Sequence, residues 1–526
     1  MNHSLRTAIR LALCGAAAAA LPVSGAWALT PTQVNALTAG NIIYVSGSTA
    51  TDNAIKAWSK LDAATDANAP FTAGSMDIYT TATGYIITGT AGPVFGAVSG
   101  TNIAIVKQTQ GGSATGIHNV AEQISPPNLS FPNLSTPSSL TATCGAAVNT
   151  PAKSPFMAFN TYACTLAESQ SIQPNAGISD EDPQTWIGTG GVTSTDAAAL
   201  TATHAVEVPF ASIVNTALRN QLQTAEGLVS GSELLANVPS LTPAQLRAIE
   251  SGQMTSLADL YVFNPTTQKT VQVDPSDSTI HICRRGNTSG TEFAANIYLF
   301  GSGCSKGNGV GTIALPDVSS TAANGVAWAA ADNGEFVFAG AGTGDVLSCV
   351  EAPLGSGDTV NYRIGVVSTD QVPGSNGWRY VAVNGIAPTI WNIQLGAYDW
   401  LTEDSFNYTT TSIGLNGGPG NHLTIFTTIN TNLSDVNGLA GLNAASQNAA
   451  ASADTSGGAA DTGIITTPNS VLYGSSDATG PSAPAWPAAI RAIAVAGQGP
   501  NSPLSKTYPS EATNNCNGAY QSDPTG

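Results

Sequence analysis

Apolar and polar positions alternate along the chain with two different periods. Short apolar runs rich in β-branched and aromatic residues occur as "NIIYVSG" (41–47), "TNIAIVKQ" (101–108), "STIHIC" (278–283), "NYRIGVVST" (361–369) and "WRYVAV" (378–383). Such runs predict strands. In "TDNAIKAWSKL" (51–61), Ile55, Trp58 and Leu61 recur at helical spacing, and "TEFAANIYLF" (291–300) predicts a second helix. A third is predicted in "SLTPAQLRAIESGQ" (240–253), with Thr242 as N-cap and Pro243 in the first turn. Strand, polar loop and helix repeat in that order, so the expected class is α/β with largely parallel sheets. Residues 124–153, rich in Pro, Ser and Asn, and residues 430–485, rich in Ala, Ser, Gly and Asn, read as insertions or loops.

The N-terminus changes the setting of this fold. Arg6 and Arg10 precede an apolar run from Leu11 to Val23, and Ala26-Trp27-Ala28 supplies an A-x-A cleavage signal. Residues 1–28 are therefore expected to be a signal peptide cleaved after Ala28, and the mature chain to be periplasmic or secreted. Lipidation at Cys14 is disfavoured, because Leu13 stands where a lipoprotein signal needs a small residue. Of 7 Cys, removal of Cys14 leaves six, an even number that argues for disulfides in an exported protein. Neighbour spacing favours Cys144 with Cys164, Cys283 with Cys304, and then Cys349 with Cys516. There is no C-x-x-C pair and the 5 His are scattered, so neither a metal nor a cofactor is expected.

With 526 residues the chain has room for two or more domains. Its formal net charge of -18 and 10% charged residues exclude a nucleic-acid binder and disfavour an anionic membrane surface, both of which require clustered Lys and Arg.

Four separated segments share one local design, in which a strand runs into a Ser/Thr/Gly loop and then a helix start or turn. They are "VSGSTATDNAIKAW" (45–58), "QGGSATGI" (110–117), "AGISDED" (176–182) and "CRRGNTSGTEFAANIYLF" (283–300). Such loops present backbone N–H groups and hydroxyls, and a following helix adds the positive end of its dipole, so each favours an anion.

These segments carry a resemblance to the phosphate-binding subunit of bacterial phosphate ABC transporters, a class II periplasmic binding protein. "RGNTSGTEF" (285–293) resembles the family's Arg-x-Asp-Gly-Ser-Gly-Thr loop, and "VNGIAPTIWNIQLGAYDW" (383–400) resembles a segment near the return to the first lobe. "LTPAQLRAIESGQMTSLADL" (241–260) is also similar to the family. The resemblance implies a two-lobed periplasmic binding protein type II fold with a hinge and loop insertions. Lobe I would comprise 29–204 plus 373–526, with the low-complexity insertion 430–485, and lobe II would comprise 205–372. It further implies that Thr49, Ala50, Ser113, Asp180, Arg285, Ser289, Gly290 and Thr291 bind phosphate or a related oxyanion, and that a monomer serves an ABC permease complex. Asn287 stands where the family usually has Asp, which predicts a less compensated Arg285. Thr288 stands where the family has Gly, and a β-branched residue is strained there if φ is positive.

Asp180 would be the one acceptor of this set. Phosphate near neutral pH keeps an O–H that a buried carboxylate accepts, whereas sulfate offers only lone pairs, so selectivity would arise by rejection. A secreted scaffold protein without transport is the alternative reading. A secreted phosphatase is a weaker one, since the only G-x-S-x-G-like string, Gly303 to Gly307, contains a half-cystine candidate, Cys304, and no strand precedes it. Arg284 reads as a surface or supporting charge.

Overall fold

The computed structural model describes residues 29–433, apart from several stretches of which 123–143, 302–328 and 352–361 are the longest, together with a short strand at 490–491. The expected signal peptide, Cys304, Cys516, the Gly303–Gly307 string and residues 434–485 of the second insertion lie outside the described residues.

Twelve strands of one mixed sheet frame the molecule: β1 (Ile42–Gly47), β2 (Asp77–Thr80), β3 (Gly84–Thr90), β4 (Asn102–Gln108), β5 (Val148–Thr150), β6 (Phe159–Ala163), β7 (Ala176–Ser179), β8 (Thr201–Asn215), β9 (His281–Arg285), β10 (Phe336–Gly340), β11 (Arg363–Ser368) and β12 (Leu401–Tyr408). Their spatial order is β10-β9-β11-β8-β12-β7-β1-β4-β3-β2-β6-β5. Helices α1 (Asp52–Ser59), α2 (His118–Glu122), α3 (Ser194–Ala199), α4 (Thr216–Glu226), α5 (Pro243–Glu250), α6 (Gly290–Phe300), α7 (Thr343–Glu351) and α8 (Pro419–Leu433) accompany the sheet. The α/β class expected from the sequence is the class found. The sheet is mixed rather than largely parallel. β1 runs parallel to β4 and β7, and β9 to β10 and β11. β2, β3 and β4 are antiparallel neighbours, a pairing that their short connections permit and that parallel strands could not use.

Burial on both faces explains why β1 and β4 are largely apolar. Ile43 and Val45 of β1 join Ile103 and Ile105 of β4 in the main core, while Ile42 and Tyr44 join Ala104 and Val106 in a second core on the opposite face. α1 covers the main core with Ala54, Ile55 and Trp58, and α8 adds Ile425, Phe426, Ile429 and Leu433. The start of the expected insertion at 430 is thus the end of a packed helix. α5 begins as predicted, with Thr242 and Gln245 forming a reciprocal capping box around Pro243. No helix among the described residues is long and apolar enough to cross a membrane.

β8 ties the two ends of the sheet together. Thr201 to Pro209 pair with β12, whereas Phe210 to Val214 pair with β11. The partner changes between Pro209 and Phe210. There Phe210 N–H donates to Trp400 O at 2.9 Å and Thr369 N–H donates to Pro209 O at 2.9 Å.

Cys144 bonds Cys164, as neighbour spacing predicts. Cys283 bonds Cys349, which corrects both the expected Cys283–Cys304 and Cys349–Cys516 pairs. The reason is tertiary: β10 lies beside β9, and α7, which follows β10, brings Cys349 to a Cα–Cα distance of 5.8 Å from Cys283.

Candidate functional site

The site is built where β1, β4, β7 and β9 end. After β1, the Ser48 hydroxyl donates to Asp180 Oδ1 and accepts from Ala50 N–H at 2.9 Å. After β4, Ser113 opens a short 3-10 turn, is fully buried, and accepts from Asp180 N–H on its Oγ at 3.3 Å. Asp180 itself follows β7 and is buried.

From the other end of the sheet, α6 points its N-terminus at this group. Gly290 is the first residue of α6, and a β-carbon there would overlap Asp180 Oδ2 and Ser113 Oγ. Ser289, the N-cap, is buried, and its side chain bonds no helix N–H. Thr291, in the first turn, is also buried. The two ends of the sheet meet again at Ala114 N–H, which donates to Thr288 O at 3.1 Å. Gly112, with φ of +67°, permits that approach, since a β-carbon there would lie 2.5 Å from Thr288 O. Trp186 packs on Phe293 of α6 with ring centroids 4.3 Å apart, and with Ala114, Ile117, Val192 and Ile297 forms an apolar cluster beside the polar loops.

Arg285 ends β9 and is 2% exposed. Its Nη1 donates to Thr343 Oγ1 at 3.2 Å and its Nη2 to Ala341 O at 2.9 Å, while Nε has no partner among the described residues. Among the described residues, three of the five donors of its guanidinium are therefore uncommitted. Burial lowers its pKa against the opposing pull of Asp180, Asp345 and Glu292. Those three carboxylates also compensate Arg285, so Asn287 does not leave it bare. Asn287 instead accepts from Arg284 Nη2 at 2.9 Å. Arg284 is not a surface charge: it is buried and pairs with Glu292 at 2.9 Å. Thr288 is not among the residues with positive φ, so its β-branch is unstrained.

Burial pushes the Asp180 carboxyl up to about 7, opposed by the charge of Arg285, the hydrogen bond with Ser113 and the charge of Lys107, and reinforced by Asp52. Of the eight expected ligands, Ser113, Asp180 and Gly290 are in direct contact, and Arg285 acts on Asp180 electrostatically. Thr49 is half-buried beside Ser48, and the Ala50 N–H is already committed to Ser48 Oγ.

Sequence reasoning passed over several members. Lys107 is fully sequestered, donating to Gly47 O at 3.0 Å and Ser48 O at 2.6 Å with Asp52 Oδ1 at 3.5 Å. A lone Lys inside "IAIVKQ" was its only signal. Ser48 and Glu292 stood within quoted segments, but nothing in their spacing named them as partners of Asp180 or Arg284. Away from the site, His118, Glu122 and Asp196 bring ligand-capable atoms within 4.8 Å of one another. Asp196 Oδ2 there already receives Thr193 N–H at 2.8 Å and Thr193 Oγ1 at 2.9 Å, which is a helix cap.

No family model matches the sequence, and no curated relative matches it. Solved structures do. One is a protein assigned to phosphate ABC transport as its substrate-binding component, from Clostridium perfringens and with bound phosphate, at 15% identity and a TM-score of 0.37, covering 76% of this chain and 98% of that one. PstS from Borrelia burgdorferi is 11% identical with a TM-score of 0.30, covering 76% of this chain and 97% of its own. An ABC-type phosphate transport receptor from Vibrio cholerae is 13% identical with a TM-score of 0.27, covering 49% of this chain and 73% of its own.

Proposed function

We propose that this chain is an exported solute-binding protein that closes on inorganic phosphate, or a related tetrahedral oxyanion, and presents it to an ABC permease. The observation that carries the reading is the meeting at Asp180 of groups from both ends of the sheet: the Ser48 and Ser113 hydroxyls from one side, and the N-terminus of α6 with Arg285 from the other. A helix N-terminus and a guanidinium favour an oxyanion, and hydroxyls can supply further donors. One acceptor in such a donor-rich place suits an anion that still carries an O–H.

The lobes would be residues 29–204 with 373–526, and 205–372. The exchange of β8 from β12 to β11 at Pro209 and Phe210 supports a hinge near that boundary. Disulfides fit an oxidising compartment outside the cytosol. The role is binding without turnover.

Titration calorimetry with phosphate, arsenate and sulfate tests the reading. Saturable binding of phosphate at one site per chain is expected, weaker or absent for sulfate, and lost in Arg285→Ala. Absence of heat with all three anions would refute it.

A further inference from the structure

Asp404 lies in β12 at a bulge, where the register against β8 shifts between Glu403 and Ser405. In the pairing of β12 with β7, Ser405 stands opposite Ser179. Carried one position further, that antiparallel register sets Asp404 opposite Asp180. Directly opposed residues share a face of the sheet, with Cβ atoms about 5 Å apart. Asp404 is fully buried, and neither of its carboxylate oxygens has a hydrogen-bond partner among the described residues.

A dry carboxylate without donors is poorly placed to ionise beside a second one. The cation that faces the pair from β4 is Lys107, and it is held by the Gly47 and Ser48 carbonyls and by Asp52 of α1. Arg285 faces Asp180 from β9, and the Ser48 and Ser113 hydroxyls face it from their loops. Glu403, opposed to Glu207 of β8, alternates to the other face of the sheet. Burial first, then the charge of Asp180, push the Asp404 carboxyl well above the usual carboxylate range, against the pull of Lys107.

We propose that Asp404 is a positioning residue of the anion site: the two carboxyls keep one proton between them, so the pair carries a single negative charge and Asp180 keeps acceptor capacity for the ligand's O–H. This rests on the reading of Asp180 as the acceptor of the bound anion. A carboxylate pair sharing a proton titrates as a unit, in two steps that belong to both residues. Loss of the second proton at high pH places an additional charge behind the anion and expels it.

The test is phosphate calorimetry between about pH 8.5 and 10, where the charge of phosphate is constant, on the wild type and Asp404→Asn. The wild-type Kd is expected to rise above a break by up to about tenfold per pH unit, while Asp404→Asn, with one charge throughout, gives a flat profile. Parallel profiles overturn the proposal. Thermal unfolding without ligand supplies an independent readout. Because the folded-state pKa of Asp404 is raised, its contribution to stability is present at low pH and lost as pH rises through the folded value. The wild type should therefore lose Tm relative to Asp404→Asn as pH rises, and in Asp180→Asn the break should come at lower pH. If the Tm curves of the wild type and Asp404→Asn run parallel, no shared proton exists, whether or not phosphate binds. If they diverge but phosphate does not bind, the shared proton stands, while both the anion reading and the positioning role of Asp404 fall.

Discussion

Gly290 opens α6 so close to Asp180 that any side chain at position 290 would overlap the Asp180 carboxylate. The two residues belong to opposite ends of the sheet, and their contact is what the proposed cleft would require when closed. Gly290→Ala should leave the fold intact, since Ala is the better helix former. It should also hold the two ends apart, and overpacking of this kind costs roughly 1 to 3 kcal/mol, so phosphate affinity is expected to fall about 10- to 100-fold. Calorimetry reads the loss, and an unchanged circular dichroism spectrum confirms the fold.

Trp186 should report on the proposed closure. Its ring packs on Phe293 of α6 at 4.3 Å between centroids, and separation of the two ends of the sheet would break that contact. Addition of phosphate should change the tryptophan emission of the wild type, and Trp186→Phe should abolish most of that change while weakening affinity by less than about tenfold. An emission change that survives in Trp186→Phe would place the reporting tryptophan elsewhere.

Asp180 should make anion choice depend on pH. Burial pushes its carboxyl up to about 7, so below that pH it becomes a donor that sulfate can accept from, and above it an acceptor that sulfate cannot satisfy. The preference for phosphate over sulfate is expected to grow as pH rises through about 7 and to be small and nearly pH-independent in Asp180→Asn, a difference of roughly 1 to 3 kcal/mol at alkaline pH. Competition calorimetry at several pH values checks this.

The strand-loop-helix grammar of the site was legible because it is local. "VSGSTATDNAIKAW", "GGSATGI" and "GTEFAANIYLF" each contain their own strand end, turn chemistry or helix start, and these turns fall where the pattern placed them. What the sequence did not reveal depends on chain return. Cys283 pairs with Cys349 because β10 and α7 fold back across β9, a relation no spacing encodes. Lys107, Glu292 and Asp404 are charged residues in apolar or mixed runs, and their partners lie on other elements. Asp404 was hidden further because it sits in the polar stretch Thr402 to Ser405, yet β12 is almost wholly buried between β7 and β8.

Glu250 at the end of α5 is a liability at alkaline pH. It is buried, Oε1 has no partner among the described residues, and burial, then the neighbouring Glu292, push it up to about 8 against the pull of Arg284. A raised folded-state value means stability is present below the unfolded pKa and lost as pH climbs through about 8. Glu250→Gln should be close to neutral at pH 5 and stabilising at pH 9 by on the order of 2 to 5 kcal/mol, read as a Tm difference that opens with pH.

The central claim, that loops from both ends of the sheet enclose one tetrahedral anion, is tested most directly by a diffraction structure of the protein crystallised with phosphate. The expected result is a single tetrahedral density bounded by Ser113, Asp180, Arg285 and the first turn of α6. Phosphate density elsewhere, or a saturated protein with that position filled only by the Ser48–Asp180 contact, would contradict it.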